Sequence, residues 1–317
     1  MRVSYRGRFI LLPDFLIVGA ARSGTTFLYT QLAKHPDVFM PEEKEPSFLA
    51  CWGQRPYYRI HNPPLEAAHI RTRLEDYLEI FSSAKKGQIL GEASTLYLFR
   101  YRDVIGNIRT LYGHLAEKPR ILILLRNPSE RAWSHYSIKR VNGEEPLAFP
   151  QAIQPETIRS RLAQGFVPSY DYIGFGMYAD AIRAYTETFP HTRVWIFEEF
   201  MKDPGKSMAE VAEFLGVSNV WTTSDFEKIL ASGKPAHPLA AIVDALVYKP
   251  NRIKAAVKHL LPWRARKRLK YRLPNLIFVR EKMDPDIREN LMRLYEPDIL
   301  KLEKFLGRNL SVWRNSP

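Results

Sequence analysis

The fold of this chain is decided by residues 15–26, which read FLIVGAARSGTT. The four apolar residues Phe15–Val18 indicate a strand that is buried on both faces of a sheet. Two glycines, Gly19 and Gly24, follow at once, and residues 27–33 (FLYTQLA) predict a helix. A strand, a glycine-rich turn and a helix in this order are typical of a phosphate-binding loop, because backbone N–H groups and the helix N-terminus face the anion. A plain strand-to-helix turn without a ligand is the alternative.

Outside this stretch, two more short apolar runs predict buried strands, at Ile121–Leu125 and Val194–Phe197. Helical patterns occupy about 178–189 and about 285–306, and another helix ends at Gly216, a residue suited to a helix C-cap. Strands that alternate with helices favour an α/β fold. We therefore predict a P-loop-like three-layer fold with a central, mostly parallel sheet flanked by helices.

The 317 residues are enough for one large α/β domain or for two small ones, and we predict a single domain over residues 1–317. No internal repeat or low-complexity tract interrupts it. A polar, aromatic, proline-bearing stretch lies at about 41–87, and a second one lies at about 140–172. In doubly wound folds, segments at the carboxyl ends of the strands build the ligand crevice. We expect a substrate to bind between these two stretches.

The charge of the chain is uneven. Ten of the 47 Lys and Arg residues lie in residues 249–272 with no acid among them, and the remaining basic residues nearly match the 34 acids. The net charge of +13 therefore reflects one basic tract and does not predict nucleic-acid binding. The tract could be a solvated helix face, could attract an anionic substrate, or could rest on an anionic membrane surface beside a lipid substrate.

The N-terminal segment and the cysteine content predict a cytoplasmic protein. Basic residues before position 9 precede an apolar stretch, as in a signal peptide, but Pro13 and Asp14 interrupt that stretch. No run approaches the roughly 18 apolar residues of a membrane span. The single Cys51 cannot form an internal disulfide, and we expect it to be packed or half-exposed.

The glycine loop departs from the nucleotide-hydrolase pattern. A Walker loop carries a Lys that contacts the β- and γ-phosphates, whereas this chain has Thr25 there and a cation three positions earlier, at Arg22. No strand ends in an isolated Asp suited to holding Mg²⁺. These features favour an anionic donor that is handled without a metal, and they disfavour a kinase or an ATPase.

A second candidate anion site follows the strand at 121–125. Arg126 lies at the strand end, and Ser134 lies eight residues further on, beyond a turn that begins at Pro128. An arginine and a serine hydroxyl that converge on one phosphate are good oxyanion ligands. Singly, Arg126 could pair with a carboxylate and Ser134 could cap a helix.

With both segments in view, the chain resembles the sulfotransferases that use 3′-phosphoadenosine-5′-phosphosulfate (PAPS), particularly bacterial members related to the heparan sulfate and other carbohydrate sulfotransferases. The first segment is similar to their loop P-[KR]-[SGA]-G-T-[TS], and the second to R-x-P-x-x-R-x-x-S. Further similar segments lie at 44–49, 91–97, 176–178 and 295–313.

The resemblance implies roles for the residues that match. The loop residues that would bind the 5′-phosphosulfate are Ser23, Gly24, Thr25 and Thr26. Arg22 would stabilise the bridging oxygen by charge and hydrogen bonding alone, since Arg does not release its proton at neutral pH. Arg126 and Ser134 would bind the 3′-phosphate. Tyr178 would either stack on the adenine or belong to the core.

Glu45 is the candidate general base by resemblance. It matches the pattern E-x-x-F-F of the heparan-type branch except at the last position, and its alternative is a surface position in the run 42–45. Lys44, also assigned to catalysis, would pair with Glu45 or with the donor, and His135 is a competing base or a scaffold residue. The chain departs from the branch at Ala93, where a Lys is usual. The heparan-type branch also has a basic loop that covers the adenosine of the donor. In this chain, Arg280 and Lys282 lie in the corresponding region.

The predicted activity is metal-independent transfer of the sulfuryl group of PAPS to a hydroxyl or amine, with release of the desulfated product PAP. The resemblance favours a carbohydrate or glycan acceptor, and a lipid or a small alcohol or phenol is the alternative. The other hypotheses are a P-loop kinase acting on a small molecule and a polyanion-binding module built on residues 249–272. Nucleic acid is not an expected partner.

Overall fold

The computed structural model describes residues 1–54, 70–222, 226 and 282–314, and the backbone of two short strands within 55–69. The basic tract at 249–272 and Arg280 lie outside these residues. The strands are β1 (Arg2–Tyr5), β2 (Arg8–Leu11), β3 (Phe15–Gly19), β4 (Val38–Phe39), β5 (Tyr57–Tyr58), β6 (Leu65–Glu66), β7 (Ile89–Ala93), β8 (Arg120–Leu125) and β9 (Thr192–Ile196).

The helices around these strands are, in chain order, α1 (Thr25–Leu32), α2 (Phe48–Cys51), α3 (Leu74–Glu79), α4 (Leu96–Phe99), α5 (Tyr101–Tyr112), α6 (Pro128–Val141), α7 (Phe149–Ala152), α8 (Pro155–Ala163), α9 (Ala179–Thr188), α10 (Phe197–Phe200), α11 (Pro204–Leu215), α12 (Pro285–Leu306) and α13 (Ser311–Arg314). Short 3₁₀ turns lie at Gly113–Leu115, Pro168–Tyr170 and Gly174–Gly176. No helix among the described residues is long and apolar enough to cross a membrane.

The central sheet has the strand order β4-β7-β3-β8-β9, and all its neighbouring strands run parallel. β3 occupies the middle, with Leu16 opposite Glu92 of β7 on one side and opposite Ile121 of β8 on the other. The carboxyl ends of β3, β7 and β8 therefore reach the same edge of the sheet. The segments that follow these three strands meet there.

Both faces of the sheet are covered, as the continuous apolar runs predict. Leu16, Ile121 and Ile123 point into a core shared with helices α5, α6, α9 and α12. The alternate residues Ile17 and Leu122 point into a second core shared with α1 and α11. The predicted three-layer α/β architecture with a parallel central sheet is confirmed.

Most predicted elements are confirmed, with differences at three places. The helices predicted at about 178–189 and about 285–306 are α9 and α12, and α11 ends before Gly216 with that residue in the left-handed conformation at φ 69°. Strand β9 stops at Ile196, because Phe197 already begins α10. An antiparallel hairpin of β1 and β2, which the sequence analysis does not predict, precedes β3. β7, the neighbour of β3, was missing from the prediction.

We predict that Gly91→Ala destabilises the fold strongly. A Cβ at this position of β7 would clash with the ring of Phe15 and the sulfur of Met40, both of which are buried. Overpacking of a core costs about 1–3 kcal/mol and occasionally more. The free energy of unfolding, measured by urea denaturation, should fall by at least this amount.

The matched control is Gly106→Ala, in the middle of α5, where an added Cβ meets no atom within 4 Å. Alanine favours a helix over glycine by about 1 kcal/mol, so this variant should be as stable as the wild type or slightly more stable. Equal stabilities of the two variants would contradict the assigned packing of β7 against Phe15.

Candidate active site

The loop between β3 and α1 is shaped for an anion. Gly24 caps α1 at φ 89°, and a Cβ there would lie 2.8 Å from the ring of Phe197, so backbone conformation and space both require glycine. Arg22 is also left-handed, at φ 67°. Ser23 is fully buried, and its hydroxyl has no hydrogen-bond partner among the described residues. Since an unsatisfied buried hydroxyl is costly, the loop fits a ligand whose oxygens accept from Ser23.

The two predicted anion-binding segments come into direct contact. The Arg22 Nε donates to Ser134 Oγ at 3.2 Å, and Arg126 Nη1 donates to the carbonyl of Arg22 at 3.3 Å. The guanidinium of Arg126 also lies over the ring of Phe197, 5.2 Å from its centre. Residues more than a hundred positions apart in the sequence therefore form one cationic site at the edge of the sheet.

The end of β8 is braced by the C-terminal helix α13. The side chain of Asn127 caps α6 and donates to the carbonyl of Trp313 at 2.6 Å. The carboxylate of Glu198 accepts from the backbone N–H of Asn127 and from the indole N–H of Trp313, each at 3.0 Å. This closed set of hydrogen bonds fixes the backbone from which Arg126 extends.

Tyr178 lies in the core beneath Arg126. Its side chain is 1% exposed and packs near Trp313, and its hydroxyl donates to the carbonyl of Arg126 at 3.0 Å. Its amide donates to Asp298 Oδ2 at 2.7 Å. The structure thus places Tyr178 in the second of its two predicted positions, the core, where it supports Arg126 from below.

Lys44 and Glu45 lie beside the loop. The Lys44 ammonium donates to Thr26 Oγ1 at 2.9 Å and pairs with Glu45 Oε1 at 3.3 Å. The other carboxylate oxygen of Glu45 accepts from Thr95 Oγ1 at 2.9 Å. Glu45 is half-buried and is held by these two partners, so it differs from an unconstrained member of the surface run 42–45. Lys44 links it to the glycine loop.

His135 has a scaffold position. Its ring is buried against Tyr172 and Phe175, and its Nδ1 lies 3.0 Å from Arg131 Nη1. Burial, together with the neighbouring positive charges, lowers the pKa of His135 well below its usual range. A neutral imidazole packed in this way positions α6 against the segment at 172–175.

Two aromatic residues of the second predicted acceptor segment are not available to a ligand. Tyr170 and Tyr172 are fully buried. They surround the paired side chains of Glu145 and Arg161, which make two hydrogen bonds of 2.7 Å, and Tyr172 also donates to Glu145. These two rings therefore do not reach the surface of the protein. They build the buried base of the segment.

A cavity of about 510 Å³ lies between α7, α8 and α12. It is mostly apolar, and no residue of the two predicted anion-binding segments lines it. Its lining includes Ile153, Ile158, Asp171, Ile287 and Leu291.

The first predicted acceptor segment lies nearer the site. There the side chain of Arg71 donates to Glu43, and its backbone amide donates to the carbonyl of Pro46. Of the two predicted adenosine-loop residues, Lys282 is exposed and Arg280 lies outside the described residues.

Glu92 is a functional candidate that sequence reasoning missed. It is fully buried in β7 and accepts hydrogen bonds from Ser94 Oγ at 2.6 Å, Tyr97 OH at 2.7 Å and Tyr77 OH at 3.3 Å. Burial raises the pKa of Glu92 to about 7, although the three hydrogen bonds act in the opposite direction. An acid inside the short apolar stretch Ile89–Ala93 was the available signal.

Comparison with known proteins shows which family this architecture belongs to. The sulfotransferase domain family matches residues 12–234, well over half of the chain. The chain belongs to the sulfotransferase family. This sulfotransferase is similar in structure to a sulfotransferase from Alicyclobacillus acidocaldarius, with a TM-score of 0.70 and 27% identity over 96% of this chain and 100% of that one.

Relatives of known activity include two enzymes named for heparan sulfate. The bifunctional heparan sulfate N-deacetylase/N-sulfotransferase 3 of Homo sapiens is 28% identical over 221 residues, which cover 65% of this chain and 22% of the relative. The heparan sulfate glucosamine 3-O-sulfotransferase 3B1 of Mus musculus is 25% identical over 252 residues, which cover 73% of this chain and 58% of the relative. The chain thus spans less than two thirds of either relative.

The raised pKa of Glu92 predicts a pH-dependent stability. In the folded protein this carboxyl keeps its proton up to about pH 7, whereas in the unfolded chain it loses the proton near its ordinary pKa of 4.5. Its contribution to stability is therefore complete below pH 4.5 and is lost as pH rises through 7. A shift of this size corresponds to about 3 kcal/mol.

Glu92→Gln should remove this dependence. The difference in free energy of unfolding between wild type and variant, measured by urea denaturation from pH 5 to pH 8, should move in favour of the variant by up to about 3 kcal/mol as pH rises. Glu79→Gln, at an exposed position of α3, is the control and should follow the wild-type curve. Parallel curves for wild type and Glu92→Gln would show that this carboxyl does not titrate in the interval.

Proposed function

We propose that this sulfotransferase transfers the sulfuryl group of PAPS to a hydroxyl or amine of a carbohydrate acceptor and releases PAP. The observation that carries the proposal is the contact between Arg22 of the glycine loop and Ser134 of α6. PAPS carries anionic groups on both sides of its nucleoside, at the 5′ and the 3′ positions. Two adjoining anion sites on separate segments match such a donor better than a single phosphate loop would.

The residues fit the donor on their own chemistry. The buried hydroxyl of Ser23 requires an acceptor, and the N-terminus of α1 presents Thr25 and Thr26 next to it. The side chain of Arg126 is cationic and projects from a braced strand end. Arg22 and Ser134 close the gap between the two sites.

Three residues account for the transfer step. The acceptor oxygen or nitrogen forms a bond to sulfur, the bond from sulfur to the 5′-phosphate oxygen breaks, and the electron pair stays on that oxygen. Arg22 and Lys44 supply positive charge as the leaving phosphate gains negative charge. Glu45 takes the proton that the acceptor loses. The hydrogen bond of Lys44 to Thr26 and its ion pair with Glu45 place base and donor loop side by side.

A glycan acceptor is supported by the relatives, since the two enzymes described above are named for heparan sulfate. This chain spans only part of the length of these relatives, so a carbohydrate acceptor is proposed for it. Lipid alcohols and phenols are the alternatives to be tested. A cytoplasmic location stays a prediction.

The donor is tested by calorimetry with PAP, AMP and adenosine 5′-phosphosulfate. Arg126→Ala should weaken PAP binding about 10- to 100-fold, the value of a lost charge-assisted hydrogen bond or two. It should leave adenosine 5′-phosphosulfate binding within about twofold, since that ligand has no 3′-phosphate.

Arg109→Ala, at an exposed position of α5, is the matched control and should bind PAP as the wild type does. If PAP binds wild type no better than AMP, the donor assignment is wrong. A P-loop kinase would instead turn over ATP with Mg²⁺. A polyanion-binding module would retain heparin binding in Arg126→Ala and lose it when the basic residues of 249–272 are neutralised.

The base is tested by Glu45→Gln. The amide keeps the size of the side chain but takes up no proton, so turnover should fall about 100-fold or more while PAP affinity stays unchanged. Turnover is followed as transfer of labelled sulfate from PAPS to desulfated heparin, a phenol and a long-chain alcohol in parallel. This series also identifies the acceptor class.

The control for this variant is Glu42→Gln, which removes a charge from the same run at an exposed position. It should retain full turnover. Equal losses of PAP affinity and turnover in Glu45→Gln would show that Glu45 is a structural residue.

A further inference from the structure

We propose, on the basis of the function proposed above, that Glu92 is a positioning residue that holds the turn carrying Lys44 and Glu45 through two hydroxyl bridges. Glu92 touches neither the loop nor any reacting group. It acts through Ser94 and Tyr97, whose hydroxyls lie between its carboxylate and the backbone that follows Glu45.

The turn needs such support because its backbone is strained. Glu45 has φ 63° and Ser47 has φ 53°, so two residues with side chains adopt the left-handed conformation within three positions. Each such residue costs about 1–3 kcal/mol and persists only where its surroundings enforce it. The amide of Glu45 donates to the carbonyl of Ala93 at 3.0 Å, which ties the first of the two to β7.

The remaining support comes from the hydroxyl bridges. The amide of Ser47 donates to Ser94 Oγ at 3.0 Å, and the amide of Leu49 donates to Tyr97 OH at 3.1 Å. These amides lie at the start of α2, where no residue of the helix accepts from them. Ser47 is the N-cap residue of α2, but its side chain makes no capping hydrogen bond to these amides.

Glu92 determines which way the two hydroxyls point. A hydroxyl has one proton to donate, and Ser94 and Tyr97 both donate it to the carboxylate of Glu92, at 2.6 and 2.7 Å. Their lone pairs are then left for the amides of Ser47 and Leu49. An ionised carboxylate accepts from both hydroxyls at once, whereas a carboxyl or an amide presents a donor to one of them and leaves that hydroxyl proton without its acceptor.

The surroundings of Glu92 make this arrangement sensitive to charge. The titratable groups that act on it or respond to it are the buried Tyr77 of α3, Tyr97 of α4, Tyr112 of α5 and Tyr185 of α9, and the carboxylate of Glu45. Burial is the main cause of the raised pKa of Glu92, and the negative charge of Glu45 adds to it. Protonation of Glu92 near neutral pH would loosen the bridges and displace Glu45.

The test compares Glu92→Gln, Ser94→Ala and Tyr77→Phe. Glu92→Gln disturbs one bridge, and Ser94→Ala removes the bridge to Ser47. Tyr77→Phe is the matched control, because the Tyr77 hydroxyl donates to Glu92 at 3.3 Å and accepts from no backbone amide of the described residues. The readouts are hydrogen exchange of the Ser47 and Leu49 amides, affinity for PAP, and kcat for sulfate transfer from PAPS to desulfated heparin over pH 5.5–8.5.

We expect the Ser47 amide in Ser94→Ala, and at least one of the two bridged amides in Glu92→Gln, to exchange at least about tenfold faster. Both variants should lose about tenfold in kcat, with PAP affinity unchanged. The wild type should show a fall in kcat as pH drops through about 7, and Glu92→Gln should lack this step. Tyr77→Phe should keep the step but shift it to higher pH, because it loses a hydrogen bond that lowers the pKa of Glu92. Unchanged exchange and an unchanged pH profile in Glu92→Gln would overturn the proposal.

Two further outcomes separate this inference from the function on which it rests. If wild type neither binds PAP nor transfers sulfate, the proposed function fails, whatever the amide exchange shows. If Glu92→Gln does not fold, the proposal is tested by Ser94→Ala and by the pH dependence of amide exchange in the wild type. After correction for the intrinsic rate, the protection of the Ser47 amide in wild type should weaken below pH 7, and constant protection would overturn the proposal.

Discussion

Strand β3 pairs in parallel with β7 on one side and with β8 on the other, and this pairing determines what can meet at the edge of the sheet. Each strand delivers a different component at its carboxyl end. β3 leads into the glycine loop, β8 leads into Arg126, and β7 leads into Ser94 and Thr95, which hold the turn of Glu45. A shift of one strand by a single residue would turn every buried side chain to the opposite face, so the apolar pattern that builds the core also aligns the site.

The residues around Arg126 and Glu45 hold these two charged side chains in position. Arg126 has Tyr178 beneath it and the brace of Asn127, Glu198 and Trp313 beside it. Glu45 has β7 behind it. This arrangement holds the charged side chains in fixed positions, and a site organised in this way would need less reorganisation as charge moves in the proposed transfer.

The loop and the Arg126 segment could be predicted because their signals are local: an apolar run, glycines at fixed spacing, and a cation at a strand end. The burial of Glu92 could not be predicted, because an acidic residue is expected at the surface. Only the fold brings Tyr77, Ser94 and Tyr97 from separate elements into contact with it. The burial of Tyr170 likewise depends on the pairing of Glu145 with Arg161, sixteen positions apart. Distant partners of polar groups are what the sequence does not reveal.

The brace at the end of β8 has a consequence for the order in which the protein is made. Asn127 depends on the carbonyl of Trp313, 186 residues later in the chain. During synthesis the sheet can form, and β8 can pair with β3, long before that partner leaves the ribosome. The central sheet can thus form first, whereas the part of the core that α12 supplies and the contact of α13 with the strand end that bears Arg126 come last. Docking of α13, a single turn of helix, is therefore a late step in completing the support of Arg126.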